Sequence, residues 1–228
     1  MARCLCDPTD ARRLLNCGPV AIVTTVWRGM TNAAPVAWTV PLSMDPPLVG
    51  VVLHPGRYTA DMIRFSEEFT INIPGPALLK QTHFLGTLTG VDTNKIEAAK
   101  LETFHGQWID APLIEGCLAW IECGVLDVMR IGDHTLFVAK PIKVQALDEA
   151  YAQTWKLEDP RYSPMTYLGG NRYALLGPAL EAVVEVDVHG GLIVETPSER
   201  EAREEREARQ RELRVTEGDE GYEEMQGR

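Results

Sequence analysis

Short runs of β-branched and aromatic residues, punctuated by proline and glycine, set the pattern of the first two thirds of the chain. They predict strands over Val20–Trp27, Asn32–Val40, Leu48–His54 and Phe69–Ile73. Two longer arms, Cys117–Arg130 and His134–Leu147, flank Ile131-Gly132-Asp133, where the glycine supports a tight reversal, so the pair reads as a hairpin. In the first arm Leu118, Trp120 and Glu122 share one side while Cys117, Ala119, Ile121 and Cys123 share the other. Neither side is cleanly polar, and both faces are expected to be covered. Short helical stretches interrupt the strands at Thr59–Phe65, at Pro76–Phe84 with proline in the tolerant first turn, and at Asn94–Leu101. They are too few and too brief for alternating βαβ units. The pattern therefore predicts a mainly β chain with short helices, an antiparallel barrel with helices at its ends or outside it.

The pattern changes near Pro197. Residues 1–196 carry 15 basic and 22 acidic groups, residues 197–228 carry 7 and 11, so the density of charge rises while its sign does not. Ser198-Glu199-Arg200-Glu201 has the form of a capping box and predicts a helix start at Ser198. Glu199/Arg203, Arg203/Glu207, Glu205/Arg209 and Glu207/Arg211 stand four apart, whereas Ala202, Ala208 and Leu213 are the only apolar residues from Glu199 to Arg214. The expected division is a domain over 1–196 and a charged helical or disordered tail over 197–228.

Composition narrows the function classes. With 228 residues and 45% hydrophobic content the chain can fill a core. A net charge of -11, from 22 basic and 33 acidic residues, sets the mean field against nucleic-acid phosphates. No apolar run reaches the ~18 residues of a spanning helix, and Met1-Ala2-Arg3-Cys4-Leu5-Cys6-Asp7 lacks a secretory apolar stretch. Five cysteines, an odd and low number, suit reduced thiols. A cytoplasmic protein with neither nucleic-acid nor membrane partner is expected.

Several large enzyme classes lack their signatures here: no Gly-x-Gly-x-x-Gly after a strand, no Gly-Lys-Ser/Thr loop, no Gly-x-Ser-x-Gly elbow and no His-Glu-x-x-His. The histidines at 54, 83, 105, 134 and 189 do not pair with cysteines or carboxylates at metal-ligand spacing, and Cys4-x-Cys6 falls short of a four-ligand zinc site. No metal is expected. Cys117 and Cys123, six residues apart on one strand, are separated by roughly 20 Å and cannot bridge each other.

What remains are polar residues in an apolar pattern. Asn32 opens a strand, and Trp38-Thr39-Val40-Pro41-Leu42-Ser43 closes it before the Asp45-Pro46-Pro47 turn. In Gly56-Arg57-Tyr58-Thr59, Thr59 is either a helix N-cap or part of a helix start that receives an anion. Lys95 in Asp92-Thr93-Asn94-Lys95 is either a solvent-facing lysine or the complement of a bound phosphate at another helix start. Gly132-Asp133-His134 is either turn chemistry alone or a bend that aims an imidazole into a cleft. No nucleophile or proton-transfer pair stands out. That suits chemistry in which a cofactor makes and breaks the bonds while the protein supplies orientation and field.

Taken in order, Val23-Thr24-Thr25, Asn32-Ala33-Ala34-Pro35-Val36-Ala37-Trp38, Pro41 to Val49, Arg57-Tyr58-Thr59, Glu68 to Pro74 and Gly132 to Val138 resemble the flavin reductase-like family, most of all its flavoredoxin branch. The resemblance runs from about Val20 to Tyr173 and ends with Tyr167-Leu168-Gly169-Gly170-Asn171-Arg172-Tyr173. It implies an FMN-binding split β-barrel that works as a homodimer. By the same resemblance Asn32 and Trp38 border the isoalloxazine ring, Thr59 and Lys95 lie near the FMN phosphate with Arg57 and Ser43 as neighbours, and His134 and Tyr167 line the flavin pocket. The implied activity is an FMN-dependent oxidoreductase, with electrons passing from NAD(P)H or a redox partner through FMN to an acceptor. The alternatives are an FMN electron carrier without its own NAD(P)H site, a protein that lends out flavin, and a flavin-binding module without turnover.

Overall fold

The structure, a computed structural model, describes residue 15, residues 18–186 and residues 192–209. Cys4, Cys6 and the tail beyond residue 209 lie outside the described residues. The chain divides into two compact units, residues 1–177 and 178–228, so the composition change at Pro197 falls inside the second unit.

The first unit runs β1 (Ala21–Trp27), β2 (Met30–Val36), β3 (Thr39–Met44), β4 (Pro47–Leu53), α1 (Tyr58–Ser66) and β5 (Glu68–Pro74). A 3-10 turn at Pro76–Leu78 leads into α2 (Leu79–Leu85), followed by α3 (Lys95–Ala98) and the short pair β6 (Thr103–Phe104) and β7 (Leu113–Ile114). Then come β8 (Cys117–Ile131), β9 (His134–Ala146), the small hairpin β10 (Tyr151–Ala152) and β11 (Thr154–Trp155), and the hairpin β12 (Met165–Gly169) and β13 (Arg172–Leu175). Seven strands pair in the order β2-β1-β5-β8-β9-β4-β3, antiparallel throughout, and form the split β-barrel sheet.

Two cores explain why the strands read as apolar on both sides. Residues of one parity, among them Ala21, Val23, Phe69, Ile71, Ile73 and Phe137, pack with Ala60 and Ile63 of α1. Residues of the other parity, Ile22 and Trp120 among them, pack with Leu85 of α2, Ile96 of α3 and Leu113 and Ile114 of β7. Because successive side chains of a strand point to opposite faces, a strand with a core on each side shows a continuous apolar run. The expectation of two covered faces for β8 holds over Cys117–Cys123, and from Leu126 to Ile131 the strand is exposed. The hairpin itself closes on two residues, with Ile131 opposite His134 and Gly132 at φ 60°, a left-handed conformation that glycine adopts without strain.

Polar side chains on the second face hold a loop in place. Asn72 donates from Nδ2 to the Ile22 carbonyl at 2.8 Å and accepts from the Ile114 amide at 2.8 Å, and Thr70 Oγ1 donates to the Ala111 carbonyl at 3.2 Å. Glu122, fully buried, accepts through Oε2 from the amides of Trp108 and Ile109 at 3.1 and 3.3 Å. These bonds are how a stretch with almost no secondary structure of its own packs against the sheet.

The second unit contains β14 (Val183–Val186) and β15 (Leu192–Glu195), paired antiparallel, then helical residues 197–209. The helix begins earlier than Ser198. Glu199 Oε2 accepts from the Thr196 amide at 2.8 Å and Thr196 Oγ1 accepts from the Glu199 amide at 3.3 Å, so the capping box is Thr196-Pro197-Ser198-Glu199, with proline in the first turn. Arg203 pairs with Glu207, as its spacing predicts, and also with Glu195 of β15 at 3.0 Å. The helix thus does have a partner, through charge rather than an apolar stripe.

Candidate functional site

The continuous strand expected over Asn32–Val40 breaks at Ala37-Trp38, between β2 and β3, and the break is where the site begins. Trp38 leaves the sheet ladder there, held by its carbonyl, which accepts from the Val52 amide at 2.9 Å. Its ring packs on His134 with centroids 4.7 Å apart, and His54, at the end of β4, meets His134 edge-on at 5.5 Å. The Gly56 amide donates to His54 Nδ1 at 3.1 Å, and His134 Nδ1 lies 2.8 Å from Asp133 Oδ1. The imidazole beside it, by its N–H and its positive charge, holds the Asp133 carboxyl below the usual carboxylate range.

These rings form one wall of a cavity of about 460 Å³, a size typical of cofactor sites. Arg57, Tyr58 and Thr59 at the start of α1, Gly86 to Gly90 after α2, Lys95 of α3 and Tyr167 to Gly170 of the β12–β13 turn complete the lining. Among the resemblance-implied residues, Trp38, Arg57, Thr59, Lys95, His134 and Tyr167 are brought together on this lining. Ser43 is not: it sits on edge strand β3 opposite Leu48, away from the lining. Asn32 stands just behind the wall, donating from Nδ2 to Thr59 Oγ1 at 2.7 Å.

Thr59 is not the N-cap of its helix. The α1 N-cap is Arg57, which makes no side-chain cap, while Thr59 is buried inside the first turn with its hydroxyl oxygen accepting from Asn32 Nδ2. Lys95 is not a solvent-facing lysine. It is 5% exposed, and no carboxylate is within ion-pair distance of it among the described residues. Burial, aided by the positive charge of Arg57, lowers its ammonium from 10.5 to about 8. A second uncompensated group lies close by: Asn32 Oδ1 is buried without a hydrogen-bond partner. The chain passes over that oxygen at Gly90, where an added Cβ would come within 2.3 Å of it. A buried ammonium without an anion and an amide oxygen without a donor are costly unless a ligand completes them.

The resemblance gave no role to His54, Tyr58 or the Gly86–Gly90 stretch, and all three line the cavity. The signal for the last was present in the two glycines four residues apart amid threonines, a polar bend between two apolar helices. Elsewhere, burial pushes the Cys117 thiol up and the Cys123 thiol up to about 12, so both are inert side chains of the sheet. Among the described residues no group of three His, Cys, Asp or Glu side chains is placed to hold a metal, and no helix is long and apolar enough to cross a membrane.

Comparison with known proteins gives a consistent picture. The model of the flavin reductase like domain matches residues 12–175. An uncharacterised protein of Archaeoglobus fulgidus is 38% identical over 113 residues, 50% of this chain and 64% of that one. The reductase component of a 4-nitrophenol 4-monooxygenase/4-nitrocatechol 2-monooxygenase of Rhodococcus opacus is 32% identical over 127 residues, 56% of this chain and 65% of that one. The chain therefore spans slightly less than two thirds of either relative. The crystal structure of an FMN-binding domain of a flavin reductase-like enzyme from Shewanella baltica superposes with a TM-score of 0.67 at 28% identity, covering 78% of this chain and 96% of that one.

Proposed function

The chain belongs to the flavin reductase like domain family, and from that premise we propose that it is an FMN-dependent oxidoreductase of the flavin reductase and flavoredoxin type. Electrons enter from NAD(P)H or a redox partner and leave to an acceptor, and FMN bound in the cavity supplies the redox chemistry. The observation that carries the reading is the pairing, in one cavity, of a buried ammonium without a counter-ion and a wall of packed aromatic rings. Lys95 and Arg57 meet the demand of a phosphate for local positive charge, which a net acidic chain satisfies with two or three donors. Trp38 offers a flat face to an aromatic ring, and Asn32 Oδ1 an acceptor at the edge. His134 and Tyr167 close the lining, and Ser43, outside it on β3, has no part in the proposed site.

We place the protein in the cytoplasm as a homodimer. Supporting the dimer, Leu126, Met129 and Ile131 of β8 and Ile142 and Val144 of β9 are all more than 40% exposed on adjacent strands, more apolar surface than a monomer comfortably shows to water. The test is direct. Purified protein soaked in FMN and desalted is expected to show a flavin spectrum, and release of the chromophore to identify it as FMN. A colourless protein sinks the proposal. Steady NAD(P)H oxidation by the holoprotein separates an oxidoreductase from an electron carrier without a pyridine nucleotide site.

A further inference from the structure

Two imidazoles on the cavity wall have their tautomers set by local bonds. His54 receives the Gly56 amide on Nδ1, which leaves its proton on Nε2. His134 faces a carboxylate with Nδ1, 2.8 Å from Asp133 Oδ1, so that nitrogen keeps its hydrogen and Nε2 is the one free to gain or lose a proton. Trp38 and the edge of His54 hold the His134 ring from two directions. The side chain of Asp133 is 86% exposed and that of His134 25%, so the pair connects bulk water to the cavity. Charged groups nearby include Arg64 of α1, whose guanidinium donates to the hydroxyl of the adjacent Thr135, Arg130, which donates to the Gly132 carbonyl, and Arg57 and Lys95 on the same lining.

Resting on the proposed cofactor reading, we infer that His134 is the proton donor of the site, with Asp133 as its positioning residue, and that the acceptors are organic molecules that take a proton on oxygen as they are reduced. An anionic dihydroflavin is the reductant: its bond to the transferred hydrogen breaks, leaving neutral oxidised flavin, and the hydride bonds to the carbon of a carbonyl acceptor or to one oxygen of a quinone. The electron pair displaced in the acceptor settles on the carbonyl oxygen, or on the second quinone oxygen, and that oxygen takes the Nε2 proton of the His134 imidazolium. His134 is left neutral with its remaining hydrogen on Nδ1, the tautomer that Asp133 holds, and regains the lost proton from water. Nothing in this geometry favours an acceptor that takes electrons alone.

Two measurements test the assignment. In protein carrying 15N-labelled histidine and no added flavin, the ring shifts of neutral His134 are expected to report the Nδ1–H tautomer, and Asp133→Asn to mix the two forms. In FMN-loaded protein reduced with dithionite, reoxidation by p-benzoquinone is expected to slow about tenfold or more in Asp133→Asn, less than the roughly 100-fold or greater effect of removing a proton donor itself, since the donor remains. Reoxidation by ferricyanide, which needs no proton, is expected to keep its rate, and Asp133→Glu to recover most of the quinone rate. Equal slowing with both oxidants, an unchanged quinone rate, or an Nε2–H tautomer in the native chain overturns the donor role. A chain that takes up no flavin overturns the cofactor reading itself, and the donor role with it. A coloured Asp133→Asn protein without selectivity overturns the donor role alone.

Discussion

Lys95 shows what a single residue contributes and how far its role can be read from sequence. Its position at a helix start left open a surface lysine or a phosphate partner, and burial to 5% exposure without a counter-ion favours the second. Replacing it with Ala is expected to weaken FMN binding by about 1.5–3 kcal/mol, the range of a charge-assisted contact, with the unfolding transition little changed. Because burial lowers the ammonium from 10.5 to about 8 in the ligand-free chain, a bound phosphate must favour protonation, and binding takes up a proton above that point. FMN affinity is therefore expected to fall as pH rises past about 8, whereas riboflavin, which has no phosphate, is expected to show no such fall. Titrations of both ligands from neutral to alkaline pH check this, and a parallel decline for the two removes Lys95 from the phosphate. Thr59 illustrates the limit of local reading. Its hydroxyl was equally consistent with an N-cap, and the start of the helix at Tyr58, with Arg57 as the N-cap, excludes it, while its partner Asn32 lies 27 residues earlier in the chain. His54 gave no signal at all, because its role depends on a ring contact with a residue 80 positions away.

At the scale of elements, the strands were legible and their interruptions were not. The β8–β9 hairpin was readable from two arms and a glycine turn, since alternation and turn chemistry are local. The break at Ala37-Trp38 was hidden because Trp38 and its neighbours Val36, Thr39 and Val40 are good strand formers, and only pairing of Trp38 with β4 shows the chain leaving its ladder. The capping box moved by two residues for a similar reason: Thr196 and Ser198 each head a Ser/Thr-x-x-Glu pattern, and the hairpin before the helix selects the first. The loop between β6 and β7 is the plainest case of order imposed by distant side chains. Glu122 Oε2 accepts both the Trp108 and the Ile109 amides from a fully buried position. Glu122→Leu keeps the volume but leaves two amides without their acceptor, and is expected to destabilise the fold by about 3 kcal/mol. Urea unfolding measures this, and a loss below about 1 kcal/mol means that water replaces the carboxylate at those amides.

For the whole molecule the question is which part of the chain carries the function. The family match ends at residue 175, the first compact unit ends at residue 177, and the lining of the cavity lies between Ala34 and Gly170. The apolar and hydrogen-bonded supports of that cavity, from the two cores to the Asn72 and Glu122 bonds, fall within the same span. The second unit has its own local order instead: a β-hairpin, a capping box and the Arg203 pairs with Glu195 and Glu207. Sequence composition recognised that something changes near the C-terminus but placed it at Pro197, because a short hairpin of ordinary composition does not announce itself in charge density. If the site is wholly built from the first unit, a chain ending at Gly177 is expected to bind FMN within about twofold of the full-length affinity, since surface removal away from a site leaves its contacts intact. Fluorescence titration of FMN against both chains measures it, with sedimentation at equal concentration to compare assembly. A truncated chain that folds, by circular dichroism and cooperative melting, yet loses the flavin shows that residues 178–228 supply part of the binding site, and the first unit is then not sufficient for function.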